Sequence, residues 1–293
     1  MARRDSPTAV PPTPVHAGWD AAEAVTRLLA SHGPRIRGLA LRLCGNAADA
    51  DDVVQEVFLQ ALRKWHTFRG DSDPGTWLYT IALRTCRGRM RRAGRAPKPM
   101  SQLMPWGEST VMAVAAAESD RGTGAERREA IERVQDAIAE LPEHLRVPVI
   151  LKEVLGVSVQ ETAAALGLAE NTVKTRLHRA RMALRKSMTA KARRVAAPVP
   201  IYEKQVCLDL FKAKMAAMDR GGTGAGFVVP QAEMCARCRA VFRELDLVQD
   251  ACAQMTDGRL PVALRRRIER AIAERDGRER AAPKRRGRRP VRA

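Results

Sequence analysis

The sequence predicts an all-α protein, and three observations carry that prediction. Ala, Leu, Arg and Val dominate the 293 residues while aromatic side chains make up only 4%, a composition that favours helices over sheets. Apolar residues recur at helical spacing in successive blocks, as in Val53, Val54, Val57, Phe58 and Ala61. Pro- and Gly-rich segments separate those blocks: APKPMSQLMPWGEST after Arg95, DRGTGAE before Arg127, APVP ending at Pro200 and RGGTGAG from Arg220. The breaks suggest a disordered N-terminus (1–20), a first helical domain (21–94), a linker (95–125), a second helical domain (126–188), a Cys-bearing domain (189–258) and a basic helix with a tail (259–293).

The first block reads as helices with a loop between them. In one helix the apolar stripe Val53 to Ala61 packs inward, and Asp49, Asp51, Asp52, Gln55 and Glu56 form an acidic and polar complement. Downstream, the loop carrying Arg69, Gly70, Asp71, Pro74 and Gly75 enters a helix with Trp77, Leu78 and Ile81 on one side and Arg84, Arg87, Arg91 and Arg92 elsewhere. Rings interleaved with arginines suit single-stranded nucleic acid, because unstacked bases lie on rings while guanidinium groups hold phosphates. The plainer reading makes Trp65, Phe68, Trp77 and Tyr79 ordinary core residues.

In the second domain Ile131, Val134, Ile138 and Leu141 form an amphipathic helix, Pro142 introduces the next, and Val147, Val149, Ile150 and Val154 extend the core. VSVQETAAALGLAENTVKTRLHRARMAL then reads as two helices around a tight turn. Val159, Ala163 and Leu166 share one side of the first, Gly167 closes it, and Asn171 is placed to cap the second. There Val173 and Leu177 face inward, leaving Thr172, Lys174, Thr175, Arg176, His178, Arg179 and Arg181 to face out. A helix that reads a major groove needs this division between an apolar anchor and outward donors. The plainer reading is a solvated basic helix.

Charge points the same way. The net charge of +19 implies attraction to a polyanion, nucleic acid first and an anionic membrane surface second. Over half of the excess lies between Arg259 and Arg292, where fourteen Lys or Arg face four Asp or Glu, so the tail inflates the global figure. No apolar run approaches the roughly 18 residues of a membrane span, and MARRDSPTAVPPTPVHAG holds no signal-peptide core. A cytoplasmic protein without membrane insertion is expected. No phosphate loop, nucleophile triad or buried acid/base pair appears, so the chain is not expected to be an enzyme, nor to require a cofactor for DNA binding.

ADADDVVQEVFLQALRKWHTFRG and TWLYTIALRTCRGRMRR, followed by LPEHLRVPVILKEVLGVSVQETAAALGLAENTVKTRLHRAR, resemble in order and spacing the extracytoplasmic-function (ECF) class of sigma-70 family factors. These are exchangeable subunits that direct bacterial RNA polymerase to promoters. The resemblance covers about 165 residues. It implies that Asp51, Asp52, Gln55 and Glu56 dock on the clamp of the polymerase beta-prime subunit. It implies that the loop from His66 to Pro74, with Trp77, Arg84 and Arg87, opens the minus-ten element. The helix from Asn171 to Arg181 would read the minus-35 element, and the linker would thread through the polymerase. Arg84 stands where the class commonly has Asn, a departure beside the promoter-opening surface.

The remainder, from about residue 190, is extra to a minimal member. Cys207 opens a helix with Leu210, Phe211 and Met215, and QAEMCARCRAVFRELDLVQDAC follows. This resembles the small zinc-binding domain of anti-sigma factors, with Cys207, Cys235 and Cys238 at matching places and Gln231 where that pattern has His. A tetrahedral zinc site takes four N or S ligands. Cys252 lies 14 residues beyond Cys238, about 21 Å along a continuous helix, so a break would be needed to bring it in. Zinc or another soft metal, a redox-sensitive thiol set and metal-free packing all remain open; Cys44 and Cys86, without ligand-spaced neighbours, read as buried or incidental thiols. LPVALRRRIERAIAERDGRER reads as a helix with Leu264, Ile268 and Ile272 in one stripe, before a basic tail that either attracts phosphate or is merely solvated.

The leading expectation is therefore a sigma factor with a fused C-terminal regulator, contacting core polymerase, promoter DNA and an anti-sigma factor if a separate one exists. The alternatives are a conventional helix-turn-helix regulator that binds duplex without polymerase, and a metal- or redox-sensing adaptor working through protein contacts.

Overall fold

The computed structural model describes residues 19–92, 110–112, 124–190, 194–196, 198–221, 234–255 and 259–281. The disorder expected of the first 18 residues, and the fate of Gln231 and of the basic tail beyond residue 281, lie outside them. The chain is all-α as its composition predicts. Among the described residues the strands are two three-residue segments, β1 (Thr110–Met112) and β2 (Arg194–Ala196), paired antiparallel with Val111 opposite Val195. That pair joins the linker to the stretch after residue 190, a contact with no periodic signal in so short a segment.

Three helices build the first module. α1 (Ala21–Cys44) ends at Gly45, whose positive φ of 81° lets its N–H return to the carbonyl of Leu41. α2 (Ala47–Lys64) starts from Asn46, whose side chain accepts the Asp49 N–H at 2.8 Å. α3 (Pro74–Arg92) opens on a proline, which has no amide N–H to leave unpaired. Val53, Val54, Val57, Phe58 and Ala61 are all buried against α1 and α3.

The second module runs α4 (Gly124–Glu140), α5 (Glu143–Val149), a π-turn (Ile150–Val154), α6 (Val159–Leu166) and α7 (Glu170–Ala190). Ser158 and Glu161 cap α6 reciprocally, and Gly167 ends it at φ 65°. One expectation needs correction here. α7 begins at Glu170, with the N–H groups of Thr172 and Val173 bonded to the Ala169 carbonyl, so Asn171 lies within the first turn and does not cap it. Its carbonyl instead accepts the Thr175 hydroxyl at 2.8 Å.

The extension adds α8 (Lys204–Asp219), α9 (Ala236–Gln254) and α10 (Val262–Ala281). α9 packs on α4, α7 and the π-turn, while α10 lies on α1 and α2 with Leu264, Ile268 and Ile272 buried. Both modules, the far end of α9 and α10 share one apolar core, and a second core surrounds Cys207, Cys235 and Cys238. α9 is continuous through Cys252, which is buried in the first core and does not join the other three thiols.

Between the cores lies a charged knot. Arg181 is 1% exposed and donates to Glu153 at 2.6 Å and to Asp219 at 2.7 Å. Burial pulls its pKa down, yet the two carboxylates outweigh that and hold it above its ordinary value. Removing one partner from a buried pair costs about 3–5 kcal/mol, because the remaining charge is left without compensation. Glu153→Ala leaves Arg181 with Asp219 alone and should lower stability by up to about that much in denaturant titration, and Arg181→Met with Glu153→Leu and Asp219→Asn should recover most of the loss. Equal stability of Glu153→Ala and the parent would refute the role given to this pair.

Candidate nucleic-acid interface

α7 divides along its length. Val173, Leu177, Ala180 and Leu184 are buried in the core at helical spacing, and Asn171, Thr172, Lys174, Thr175 and Arg179 are exposed, with Arg176 half-buried. That leaves amide, hydroxyl, ammonium and guanidinium donors near the N-terminal half of the helix, the part that reaches base edges in a helix-turn-helix. Lys174 has a loose ion pair to Glu170 at 3.8 Å within the same helix. An exposed pair of this kind is worth at most about 1 kcal/mol and does not hold Lys174 from another anion.

The same helix corrects two outward placements. Arg181 points into the charged knot already described, away from solvent. His178 is half-buried: its ring stands edge-on to Phe211 of α8 at 5.5 Å, and Nε2 is buried without a hydrogen-bond partner among the described residues. Burial lowers its pKa, Arg181 and Arg179 lower it further, and Asp219 opposes them. The helical period put His178 and Arg181 beyond the Val173–Leu177 stripe. What it could not show was a further helix lying on that flank.

α8 and α9 cover this flank with complementary charge. Arg185, 2% exposed, donates to Glu244 of α9 at 2.5 Å, and Met182 joins the apolar cluster of the three cysteines. Lys214 of α8 donates to Asp246 at 2.5 Å, tying the two helices to each other. Sequence reasoning missed Glu153, Asp219 and Glu244. Their only signal is an acid inside an apolar helical stripe, which does not name its partner.

In the first module Trp65, Phe68 and Tyr79 are buried, so the plainer reading holds for these three rings. Trp77 is half-buried, edge-on to Trp65 at 5.7 Å and tilted against Phe68 at 5.6 Å. Arg69, Asp71 and Arg84 are exposed. Arg87, read as a nucleic-acid contact, instead donates to Glu143 of α5 at 2.7 Å and so ties the two modules together.

The acidic set on α2 is already engaged within the chain. Asp51 accepts from Arg37 at 2.7 Å, and Arg37 also donates to the Arg259 carbonyl just before α10. Asp52 pairs with Arg89 at 3.2 Å and Glu56 with Arg63 at 2.7 Å. Asp52, Gln55 and Glu56 line one wall of a groove of about 700 Å³ between α2 and α3, whose other wall carries Arg84 and Arg89.

In the extension the sulfurs of Cys207, Cys235 and Cys238 lie within 4.8 Å of one another, all buried. Burial pushes the Cys235 thiol up, but N–H groups of Cys238, Ile201 and Arg237 and the Cys238 thiol turn towards it and leave it below its ordinary value. Burial pushes Cys238 up to about 12. Such a set, with one sulfur held as an acceptor by backbone amides, suits a thiophilic ion.

An all-helical protein with a helix-turn-helix at one end and an acid-lined helical module at the other is a promoter-recognition architecture. The family models and the curated relatives agree. The family models for Sigma-70 region 2 and Sigma-70, region 4 match residues 28–96 and 131–184. The RNA polymerase sigma-H factor of Pseudomonas aeruginosa is 34% identical over 162 residues, 55% of this chain and 84% of that protein. The ECF RNA polymerase sigma factor SigM of Mycobacterium tuberculosis is 32% identical over 162 residues, 55% of this chain and 75% of that protein. Among solved structures, CnrH in complex with the cytosolic domain of CnrY is 27% identical, with a TM-score of 0.43 over 59% of this chain and 94% of that one. The chain belongs to the ECF class of sigma-70 family RNA polymerase sigma factors.

The covered flank gives a direct expectation. Phe211→Ala removes the ring that shields His178, so its pKa should rise towards the ordinary 6.5 in an NMR titration. An unchanged value would show that Phe211 does not desolvate it.

Proposed function

We propose that this sigma factor reads the minus-35 element with Asn171, Thr172, Lys174, Thr175, Arg176 and Arg179, and opens the minus-ten element with Arg69, Asp71, Trp77 and Arg84. Asp51, Asp52, Gln55 and Glu56 dock on the beta-prime clamp of core polymerase. Strand opening draws on binding energy, and duplex reading and single-strand capture are carried by different surfaces. The protein is a subunit of transcription initiation, and no described helix is long and apolar enough to cross a membrane.

The extension regulates these surfaces in cis. The observation that carries this reading is the flank of α7: His178, Arg181, Met182 and Arg185 all meet α8 or α9. At the other end, Arg37 is shared between the clamp-docking Asp51 and the entry to α10. The extension therefore touches the elements that bear both binding surfaces. Cys207, Cys235 and Cys238 would hold zinc or another soft metal ion. Such an ion, when bound, supplies a cross-link between α8 and the start of α9. No fourth Cys, His, Asp or Glu joins them among the described residues.

Two measurements test this. Asp52→Lys with Glu56→Lys should weaken binding to core polymerase by about tenfold or more, equivalent to about 1.4 kcal/mol, with minus-35 duplex binding unchanged. Equal affinity for core would remove the clamp assignment. Metal content by mass spectrometry should fall from about one soft metal ion per chain to none in Cys207→Ser and in Cys235→Ser. Metal-free wild-type protein, prepared under reducing conditions with zinc supplied, would remove the metal site.

A further inference from the structure

His32, on α1, lies directly beneath the loop that the preceding section assigns to strand opening, and the present inference rests on that assignment. Its ring is 7% exposed, edge-on to Tyr79 at 6.1 Å, and Nδ1 is buried with no hydrogen-bond partner among the described residues. Above it, Asp73 organises the start of α3: its carboxylate accepts the Gly75 N–H at 2.7 Å and its carbonyl accepts the Trp77 N–H at 3.1 Å. A Cβ at position 75 would stand 2.4 Å from His32 Cε1 and 2.8 Å from Asp73 Oδ1. Real Cβ contacts do not come so near, so a methyl at position 75 would push the imidazole or the Asp73 carboxylate out of place.

We propose that His32, in its neutral form, is the positioning residue of the strand-opening loop: it seats Gly75, and through the Asp73 cap it fixes the backbone that presents Arg69 and Asp71. The charged groups around the ring are Asp73 from the loop, Arg35 from α1 and Glu161 from α6. Burial is the largest influence and favours the uncharged imidazole, with Arg35 acting in the same direction and the two carboxylates opposing it. A proton on the ring creates a buried cation beside Asp73, which competes with the Gly75 N–H for the same carboxylate. The seat is therefore complete above the ordinary histidine value of 6.5 and is lost as pH falls below it towards the lowered native value. The neighbours of His32 are Asp73 of the loop, Gly75 and Tyr79 of α3 and Glu161 of α6, so it governs opening and not docking.

The test uses full-length holoenzyme and promoters recovered by transcribing fragmented host DNA with the wild-type protein. Opening is read as permanganate reactivity of minus-ten thymines, alongside core affinity and minus-35 duplex affinity. Gly75→Ala should reduce opening by roughly ten- to a hundredfold, the scale of a loop displaced by about 1 Å, while both affinities stay at the wild-type level. Adding His32→Ala to Gly75→Ala vacates the space that the new methyl enters and should restore part of that loss, a non-additive result expected only of groups in contact. His32→Gln, which carries no charge at any pH, should flatten the fall in opening expected of the wild type as pH drops below 6.5. Wild-type opening in Gly75→Ala, simple additivity in the double variant, or an identical pH profile in His32→Gln would each overturn the proposal. So would a loss of core or duplex affinity parallel to the loss of opening, which would make the contact a general structural one. If the wild-type protein itself melts no promoter, the assignment of the loop has failed, an outcome distinct from variants that match an active wild type.

Discussion

A guanidinium without water dictates how this molecule is arranged. Arg181 sits on the helix proposed to read DNA, yet its charge is satisfied by Glu153 from its own module and by Asp219 from the extension. Four residues on, Arg185 depends on Glu244 in the same way. Buried charges of this kind are tolerable only while every partner stays in place. The two arginines thus oblige α8 and α9 to remain against α7, or else oblige α7 to present them to solvent. One helix thereby carries the proposed reading surface, exposed, at its start and a docking surface for the C-terminal extension further along.

The first module obeys a similar economy of charge. Its acids are paired within the chain, Asp51 with Arg37, Asp52 with Arg89 and Glu56 with Arg63, mostly at partly exposed positions. Exposed pairs contribute little to stability and exchange partners readily, which suits the clamp docking proposed for this surface. Arg37 differs, being largely buried and holding the backbone before α10 as well. The extension is thus anchored at both ends of the molecule, by buried ion pairs on α7 and by apolar packing of α10 on α1 and α2.

Much of this was legible in the sequence because it depends on periodicity and capping. The stripe from Val53 to Ala61, the Val173 and Leu177 pair, the Gly167 turn and the Leu264, Ile268 and Ile272 stripe are all buried or bent as their spacing requires. The Cys207, Cys235 and Cys238 grouping came from the resemblance to a small zinc-binding domain, and the unbroken α9 keeps Cys252 apart from it. The rest depends on which elements meet. Arg87 reads as a phosphate contact until Glu143 is brought beside it, and His178 reads as a base contact until Phe211 covers it. Periodicity identifies a face of a helix; it does not say whether DNA, polymerase or another part of the same chain will lie on that face.

The central claim is that the extension and the promoter draw on the same helix, and it predicts a change in the electrostatics of DNA binding. The most direct measurement is the affinity of full-length Asp219→Ala/Glu244→Ala protein for minus-35 duplex over a range of salt concentrations. Freed from Glu244, Arg185 turns to phosphate, while Arg181 keeps Glu153 but loses its tie to the extension, so affinity should rise and the slope of log affinity against log salt should steepen by about 0.9 for each phosphate gained. A variant that is folded and shows the wild-type affinity and slope would contradict the account.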